Sequence, residues 1–395
     1  MKKSASSRFR QNAVLAVCSL IIAAFFYPLM LHMIQFPASD IYLHTEFADL
    51  ISLRTPSTWF YPIAHPLWHF VVRFLRLFGM PFNHAGVLFT TLIKIAELLA
   101  VNWFYTRQLS KRIDGVWISL LSFVTVMVSA ICIPWINPHV YLNAGTPNTW
   151  HSPTQILMIF WMLLIVFFLS SSYDRQLKFP GNECDLTWKK AAVFSVFLVA
   201  CLLSKPVFIL CFFPGAAIYF LIQWIHNPRF TRYYIRLLIS LIPTFMFIIL
   251  PANTYFGAET DSGIRFIFNP QLIADTVQAA LLTNAFPFVV LLINRKKQTS
   301  TITPITLWTY ACACLINAFL CETGFRADHG NFGWAMLGSS MLLWVIAIPQ
   351  YVEMVLENQT KSGKWINAAC GVLLAWHFFS GIYYIYYLFT SGKWY

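Results

Sequence analysis

The sequence contains few charged residues. Asp, Glu, Lys and Arg make up only 11% of its 395 residues, whereas hydrophobic residues make up 58% and aromatic residues 17%. A soluble chain of this length could not bury so much apolar surface, so the composition excludes a soluble protein and predicts a lipid bilayer as the solvent. No segment is polar enough to form a soluble domain of its own. We therefore expect one polytopic, all-α membrane domain over residues 1–395.

Acidic residues are scarcer than basic ones. The chain has 15 Asp and Glu residues against 27 Lys and Arg residues, which gives a formal net charge of +12. The basic residues form no block with interleaved aromatic residues, so they do not predict a nucleic-acid partner. They concentrate instead in alternate polar segments, as they do in the cytoplasmic loops of membrane proteins.

Paired cysteines and internal repeats are also lacking. The nine cysteines are odd in number, and their spacing matches neither a metal site nor a disulfide framework. Cys312 and Cys314, for example, would face different directions on a helix. Without an internal repeat, the sequence gives no support to an inverted-repeat transporter.

The apolar runs predict about eleven transmembrane helices. We place them near residues 12–34, 83–105, 115–135, 154–172, 190–204, 206–225, 235–256, 273–294, 303–321, 332–350 and 365–390. The first run is too long for a signal peptide and no small-residue cleavage site follows it, so we expect an uncleaved helix with the N-terminus inside. This topology places most Lys and Arg residues inside. The motif Lys205-Pro206 interrupts an apolar run of the sequence, and Pro206 disfavours helix at Lys205, so we predict two helices there.

The segment 35–81 is predicted to be an external loop, ahead of the remaining bundle at 82–395. Part of this loop, 62–78, is apolar enough to span a membrane. Its polar residues, however, recur on one helical face: His65, His69, Arg73 and Arg76. Such a stripe favours a helix lying in the membrane interface. A second interfacial helix is predicted at about 41–53.

Three ionisable residues directly follow the first span. Asp40 and His44 are four residues apart and share a face if the helix begins early enough, and Glu46 lies close by. A carboxylate at the lipid–water boundary can serve as the base of a membrane enzyme. The alternative is structural, because Asp40 follows Pro37-Ala38-Ser39 and could cap the helix.

Two further segments carry candidate binding residues. The polar segment 137–153 contains Trp150 and His151, which suit the apolar face and the hydroxyl groups of a sugar. The alternative is an aromatic residue belt at the membrane interface. Lys205 could bind a phosphate, or could extend its ammonium group toward lipid headgroups.

A dense polar cluster lies between the predicted spans near residues 303–321 and 332–350. It contains Glu322, Arg326, Asp328 and His329, of which the Arg and the His could bind a phosphate. The alternative is an ion pair that stabilises the turn. Within the second span, Lys94 and Glu97 are three residues apart and could form either a structural ion pair or part of a polar cavity.

The N-terminal third resembles a known family. A first span, an acid in the first external loop at Asp40, and a second interfacial helix opening with Tyr61-Pro62-Ile63-Ala64-His65-Pro66-Leu67 resemble the C superfamily of membrane glycosyltransferases (GT-C). The resemblance implies a sugar donor on a polyprenyl phosphate and a catalytic or metal-linked role for Asp40. Many members carry two adjacent acids, whereas Ile41 follows Asp40 here. This departure argues against a metal-bound pair of acids, and a divalent cation, Mg²⁺ or Mn²⁺, is kept only as an alternative.

We accordingly expect a bacterial inner-membrane glycosyltransferase that works on the external face. Asp40 would be the general base of an inverting transfer from a polyprenyl-phosphate-linked sugar to a glycan, lipid or protein acceptor. The predicted substrate-binding residues are His44, Glu46, His65, Trp150, His151, Lys205, Glu322, Arg326, Asp328 and His329. The alternatives are a polysaccharide polymerase or ligase, and a transporter or flippase of a lipid-linked glycan.

Overall fold

The protein is almost entirely helical. The computed structural model describes residues 5–37, 39–55, 58–60, 65–133, 135–136, 146–178, 183–256, 263–296, 300–324 and 330–391. The helices are α1 (Ala5–Met33), α2 (Asp40–Leu50), α3 (Leu67–Arg76), α4 (Phe82–Leu109), α5 (Gly115–Thr125), α6 (Pro153–Gln176), α7 (Trp188–Ser204), α8 (Val207–His226), α9 (Thr231–Phe256), α10 (Pro270–Ile293), α11 (Ile302–Phe319), α12 (Gly333–Glu357) and α13 (Lys361–Ser391). Two short strands, β1 (Ile264–Phe266) and β2 (Leu320–Glu322), pair antiparallel.

Nine helices of the described chain are long and apolar enough to cross a membrane: α1, α4, α6, α8, α9, α10, α11, α12 and α13. This confirms a multi-pass, all-α membrane protein. The prediction of about eleven full spans differs from the structure at α5 and α7, which have 11 and 17 residues and are shorter than any of these nine helices.

Helix α12 lies at the centre of the bundle. Every side chain from Trp334 to Pro349 is buried, and the helix packs against α6, α8, α10 and α11. Small residues allow this close approach: a Cβ atom on Gly338 would lie 2.7 Å from the side-chain amide of Gln155 and 2.6 Å from Met158. Since apolar lipid offers no hydrophobic driving force between helices, such close packing helps to hold a membrane bundle together, along with hydrogen bonds between helices.

The span predicted at 115–135 is helical only in its first part. Beyond Thr125 the chain leaves the helix and runs buried between α10 and α13. The amide of Ser129 donates to the carbonyl of His377 (3.2 Å), and the amide of Ile131 donates to that of Leu282 (2.9 Å). Non-helical backbone is tolerated at membrane depth only when neighbouring protein satisfies it in this way.

The predicted break at Lys205-Pro206 is confirmed. Helix α7 ends at Ser204, and Lys205 has extended backbone angles (φ −167°, ψ 123°) before α8 begins at Val207. The steric conflict between a proline ring and the preceding residue accounts for this conformation. The break turns Lys205 off the helix axis.

The two short helices predicted in the first external loop are present as α2 and α3, both shorter than expected, and their location in the membrane interface stays a prediction. The hydroxyl of Ser39, not Asp40, caps α2 by accepting the amide of Tyr42 at 3.3 Å. Asp40 is therefore the first helical residue. The alternative that Asp40 caps the helix is wrong, because Ser39 is the capping residue. On α3 the polar face turns toward α2, because Arg73 donates to Asp49 at 2.9 Å.

Contacts at one end of the bundle bring together several helix termini. Arg175 pairs with Asp185 at 2.9 Å, and the amide of Thr301 donates to Asp174 at 3.0 Å. We call this the basic end, since its segments carry Arg10, Arg107, Arg112, Arg175, Lys178 and Lys190. Asp40 belongs to the opposite end, because α1 separates it from Arg10.

Candidate functional site

Asp40 lies among ionisable side chains from three separate parts of the chain. Helix α2 supplies Asp40 and His44, the turn before α6 supplies His151 and Ser152, and the α7–α8 break supplies Lys205. We call these five residues the Asp40 cluster. Folding thus joins three segments that the sequence had marked separately.

The carboxylate of Asp40 is stabilised by its neighbours. Burial alone would raise its pKa, but His151, Lys205 and His44, with a contribution from the Ser152 hydroxyl, together hold the pKa of Asp40 below its ordinary value. Asp40 is therefore ionised throughout the neutral pH range. Among the described residues it has no salt-bridge partner in direct contact, so its charge is balanced at a distance.

Lys205 is the cation of the cluster. Its side chain is buried, with 7% of the residue exposed, and its ammonium lies 3.6 Å from the centroid of the Trp334 ring. Burial lowers the pKa of Lys205 to about 8, although Asp40 opposes the shift. Lys205 therefore stays mostly charged at neutral pH. The prediction that it reaches out toward lipid headgroups does not fit this burial.

The two histidines of the cluster are neutral at physiological pH. Burial lowers the pKa of both His44 and His151 to about 4, with Lys205 adding to the effect and Asp40 opposing it. Nδ1 of His44 lies 3.1 Å from Nε2 of His69, and Nδ1 of His151 lies 2.9 Å from the hydroxyl of Tyr384. A neutral imidazole can both donate and accept a hydrogen bond, which suits the binding of hydroxyl groups.

A buried ion pair holds the turn that carries His151. The ammonium of Lys94 donates to both carboxylate oxygens of Glu97, at 2.9 and 3.0 Å, and to Oδ1 of Asn148 at 2.7 Å. The side-chain amide of Asn148 in turn donates through Nδ2 to the carbonyls of Thr125 (3.2 Å) and Val128 (2.8 Å). The network joins α4, the turn and the broken end of α5. This placement favours the structural alternative for Lys94 and Glu97.

The other candidate residues of the N-terminal half, His65, Trp150 and Glu46, lie in three different environments. His65 lies beside the cluster, its ring centroid 5.9 Å from that of His44. Trp150 is only 1% exposed and packs edge-on against Phe26 at 5.6 Å, so it supports the turn from within the core. Glu46 is exposed on α2 and has no ion pair among the described residues.

Glu322 lies on β2, where its carboxylate accepts a hydrogen bond from the side-chain amide of Asn331. Nothing in the described structure connects it with the Asp40 cluster. The predicted residues Arg326, Asp328 and His329 lie outside the described residues. Within the described part of the chain, no group of three His, Cys, Asp or Glu side chains is placed to hold a metal ion, so the divalent cation stays a prediction.

Several residues of the site were not predicted. His69 was recognised only as part of an amphipathic stripe, although its position one helical turn after His65 could have signalled its role. Thr154, whose hydroxyl lies 3.3 Å from Nε2 of His44, is in the first turn of α6. Tyr384 is 233 residues from His151 along the chain, and no local pattern relates the two.

Comparison with known proteins adds no identity to these observations. No family model matches the chain, and no curated protein matches it. The geometry itself supports two kinds of chemistry. An ionised carboxylate can accept a proton, and a buried ammonium can stabilise a developing anion in a site of low dielectric constant. The imidazoles and the phenol of Tyr384 add groups that can bind hydroxyls.

Proposed function

We propose that this protein is a membrane glycosyltransferase that moves a sugar from a polyprenyl-phosphate-linked donor to an acceptor hydroxyl. The observation that carries the proposal is the pairing of Asp40 and Lys205 without direct contact. A base and a buried cation share one site beside the two short helices α2 and α3. Glycosyl transfer from a phosphate needs both groups, one for the acceptor proton and one for the leaving anion.

In the proposed reaction the acceptor oxygen attacks the anomeric carbon as the bond between that carbon and the phosphate oxygen breaks. The sugar configuration is inverted, and the hydroxyl proton passes to Asp40. Because the pKa of Asp40 is below its ordinary value, it is a weak base. A weak base suffices, since the acceptor hydroxyl becomes strongly acidic only as its new bond to carbon forms.

The leaving polyprenyl phosphate departs with the bonding electron pair and takes on negative charge. Lys205 would stabilise that charge, and Trp334 beneath its ammonium keeps the side chain in place (3.6 Å). His151, which is neutral, would bind a hydroxyl group of the sugar or acceptor. His44, also neutral, would bind one by exchanging its contact with the Thr154 hydroxyl (3.3 Å). The sequence-predicted phosphate ligands Arg326 and His329 stay part of the proposal.

The orientation in the membrane follows from charge. The basic end carries an excess of Lys and Arg residues, which the positive-inside rule assigns to the cytoplasmic side. The Asp40 cluster would then face outward, as lipid-linked sugars flipped to the outer leaflet of a bacterial inner membrane require. The acceptor class, whether glycan, lipid or protein, stays open within this proposal.

The decisive experiment measures sugar transfer by the purified full-length chain in nanodiscs, with a panel of polyprenyl-phosphate sugar donors. Asp40→Asn is compared with Asp49→Asn, a matched control on the same helix whose exposed carboxylate pairs with Arg73. We expect Asp40→Asn to abolish transfer while donor binding persists, and Asp49→Asn to retain transfer.

Other outcomes would redirect the proposal. Full transfer by Asp40→Asn would exclude this carboxylate as the base. A wild-type protein that moves lipid-linked sugar across the bilayer, but transfers none, would support the flippase alternative. Repeated addition of sugars to one growing chain would favour the polymerase alternative.

A further inference from the structure

A cavity of about 270 Å³ lies at the basic end, between α4 and α6. Phe104 and Ser170 are buried and form part of its floor, while Arg107 and Lys178 are exposed at its rim. It belongs to the opposite end of the bundle from Asp40. The reaction proposed above does not use it.

Among the charged residues that line this cavity, basic residues outnumber acidic ones. Three cations, Arg107, Arg175 and Lys178, face it with one carboxylate, Asp174. That carboxylate already accepts hydrogen bonds from the hydroxyl of Ser300 (3.1 Å) and from a backbone amide. The cavity therefore has an excess of cations over free carboxylates.

The three cations are not equivalent. Arg175 is held by Asp185 at 2.9 Å and by the Ser171 hydroxyl at 2.8 Å. Arg107 and Lys178 have no carboxylate partner among the described residues. Since these two charges are exposed and unbalanced, an anion entering the cavity would meet them without first breaking an ion pair.

One rim of the cavity continues into a lipid-facing stripe of α4. Leu92, Leu99 and Trp103 are 52%, 45% and 47% exposed, and their spacing of seven and four residues places them on one helical face. Arg107 follows one turn later on that face, with its guanidinium carbon 4.9 Å from the centroid of the Trp103 ring. An apolar track thus leads along the helix to a cationic cavity.

We propose that this cavity binds the phosphate group of an anionic phospholipid, with an acyl chain lying along the stripe. Basic pockets between transmembrane helices are suited to such headgroups. Arg107 would bind the phosphate through its planar guanidinium, and Lys178 as a point charge. A free phosphate ion would use the cations but not the stripe, which is why a lipid is the favoured source.

The test measures lipid binding to the full-length chain in detergent by native mass spectrometry, with phosphatidylglycerol and phosphatidylcholine as probes. The variant Arg107→Gln/Lys178→Gln removes the two unpaired cations. Its matched control, Arg229→Gln/Arg232→Gln, removes two exposed charges elsewhere in the chain, outside the cavity lining. Neither variant touches the Asp40 cluster, so both leave the proposed transfer reaction intact.

We expect the wild type to bind phosphatidylglycerol more tightly than phosphatidylcholine. The cavity variant should weaken phosphatidylglycerol binding by about 30-fold, since each basic residue near a membrane surface contributes about a fivefold factor. The control should change it little. Equal losses in both variants, or equal binding of the two lipids, would overturn the proposal. Displacement of bound lipid by millimolar inorganic phosphate would assign the site to a free anion instead.

Discussion

Two lysine–carboxylate pairs in this molecule are built in opposite ways. Lys94 and Glu97 are in direct contact at 2.9 Å, with side chains 2% and 0% exposed, and Asn148 adds a further hydrogen bond. Lys205 and Asp40 form no direct ion pair, although the charge of each shifts the pKa of the other. The first pair has few hydrogen-bonding groups left over, whereas the second retains the capacity to bind a proton and an anion.

The difference separates a structural role from a chemical one. A buried ion pair is tolerated when its members satisfy each other, and removing one member leaves a charge without compensation. A carboxylate balanced at a distance can still exchange a proton. Burial alone therefore does not identify a functional residue: Lys94 and Lys205 are both buried, and only Lys205 lacks a carboxylate in direct contact. We regard the pair without direct contact as the one suited to catalysis.

The largest effect is expected from Asp40→Asn. General acid–base groups contribute about 10²- to 10⁴-fold in rate, so transfer should fall by that factor. The thermal unfolding temperature should stay close to that of the wild type, because no direct ion pair is broken. Transfer assays and unfolding scans on the same preparation check both halves. A marked loss of stability with little loss of transfer would show that Asp40 has a structural role and not a catalytic one.

Glu97→Ala should act in the opposite way. It leaves the ammonium of Lys94 buried without its carboxylate, which costs about 3–5 kcal/mol of stability. Denaturation in detergent measures the loss. The control is the double variant Lys94→Met/Glu97→Met, which removes both charges and should be milder. If the double variant were the more damaging of the two, the contacts with Asn148 would matter more than charge balance.

Gly381→Ala tests the non-helical segment after Thr125, to which Asn148 of the Lys94–Glu97 network donates hydrogen bonds. A Cβ atom at Gly381 would collide with the carbonyl oxygen of Met127. We expect a loss of about 1–3 kcal/mol, typical of overpacking. Gly371→Ala on the same helix is the control, because its nearest neighbour is the hydroxyl of Tyr351 at 2.9 Å, the end of a side chain. Equal unfolding temperatures for both variants would contradict the close approach of this backbone.

The smallest effect is a shift in pH dependence. The pKa of Lys205 is about 8, so its charge, and with it the transfer rate, should decline as pH rises through that value. Lys205→Arg stays charged and should move this decline to higher pH at some cost in rate. At low pH, His44 and His151 gain charge near their pKa of about 4, and transfer should fall there as well. If the decline at alkaline pH were unchanged in Lys205→Arg, the decline would belong to the titration of another group.

Part of the site was predictable from local sequence patterns. Asp40, His44, His151 and Lys205 each stood out because an ionisable residue is rare in an apolar chain and each lies next to a hydrophobic run or interrupts one. Their assembly was not predictable, since the three segments approach one another only through helix packing. Trp150 shows the converse, because a residue type suited to sugars is placed in the core here.

Sequence by itself determined the membrane class, the two short helices α2 and α3, and the break at Lys205. Each depends on local chemistry: hydropathy over a span, a polar stripe at helical spacing, and the steric restriction before proline. Only the tertiary structure decided that the chain unwinds after Thr125, that Ser39 caps α2, and that Tyr384 meets His151. Those outcomes depend on which backbone and side-chain groups neighbouring helices can satisfy, and that information is distributed along the whole chain.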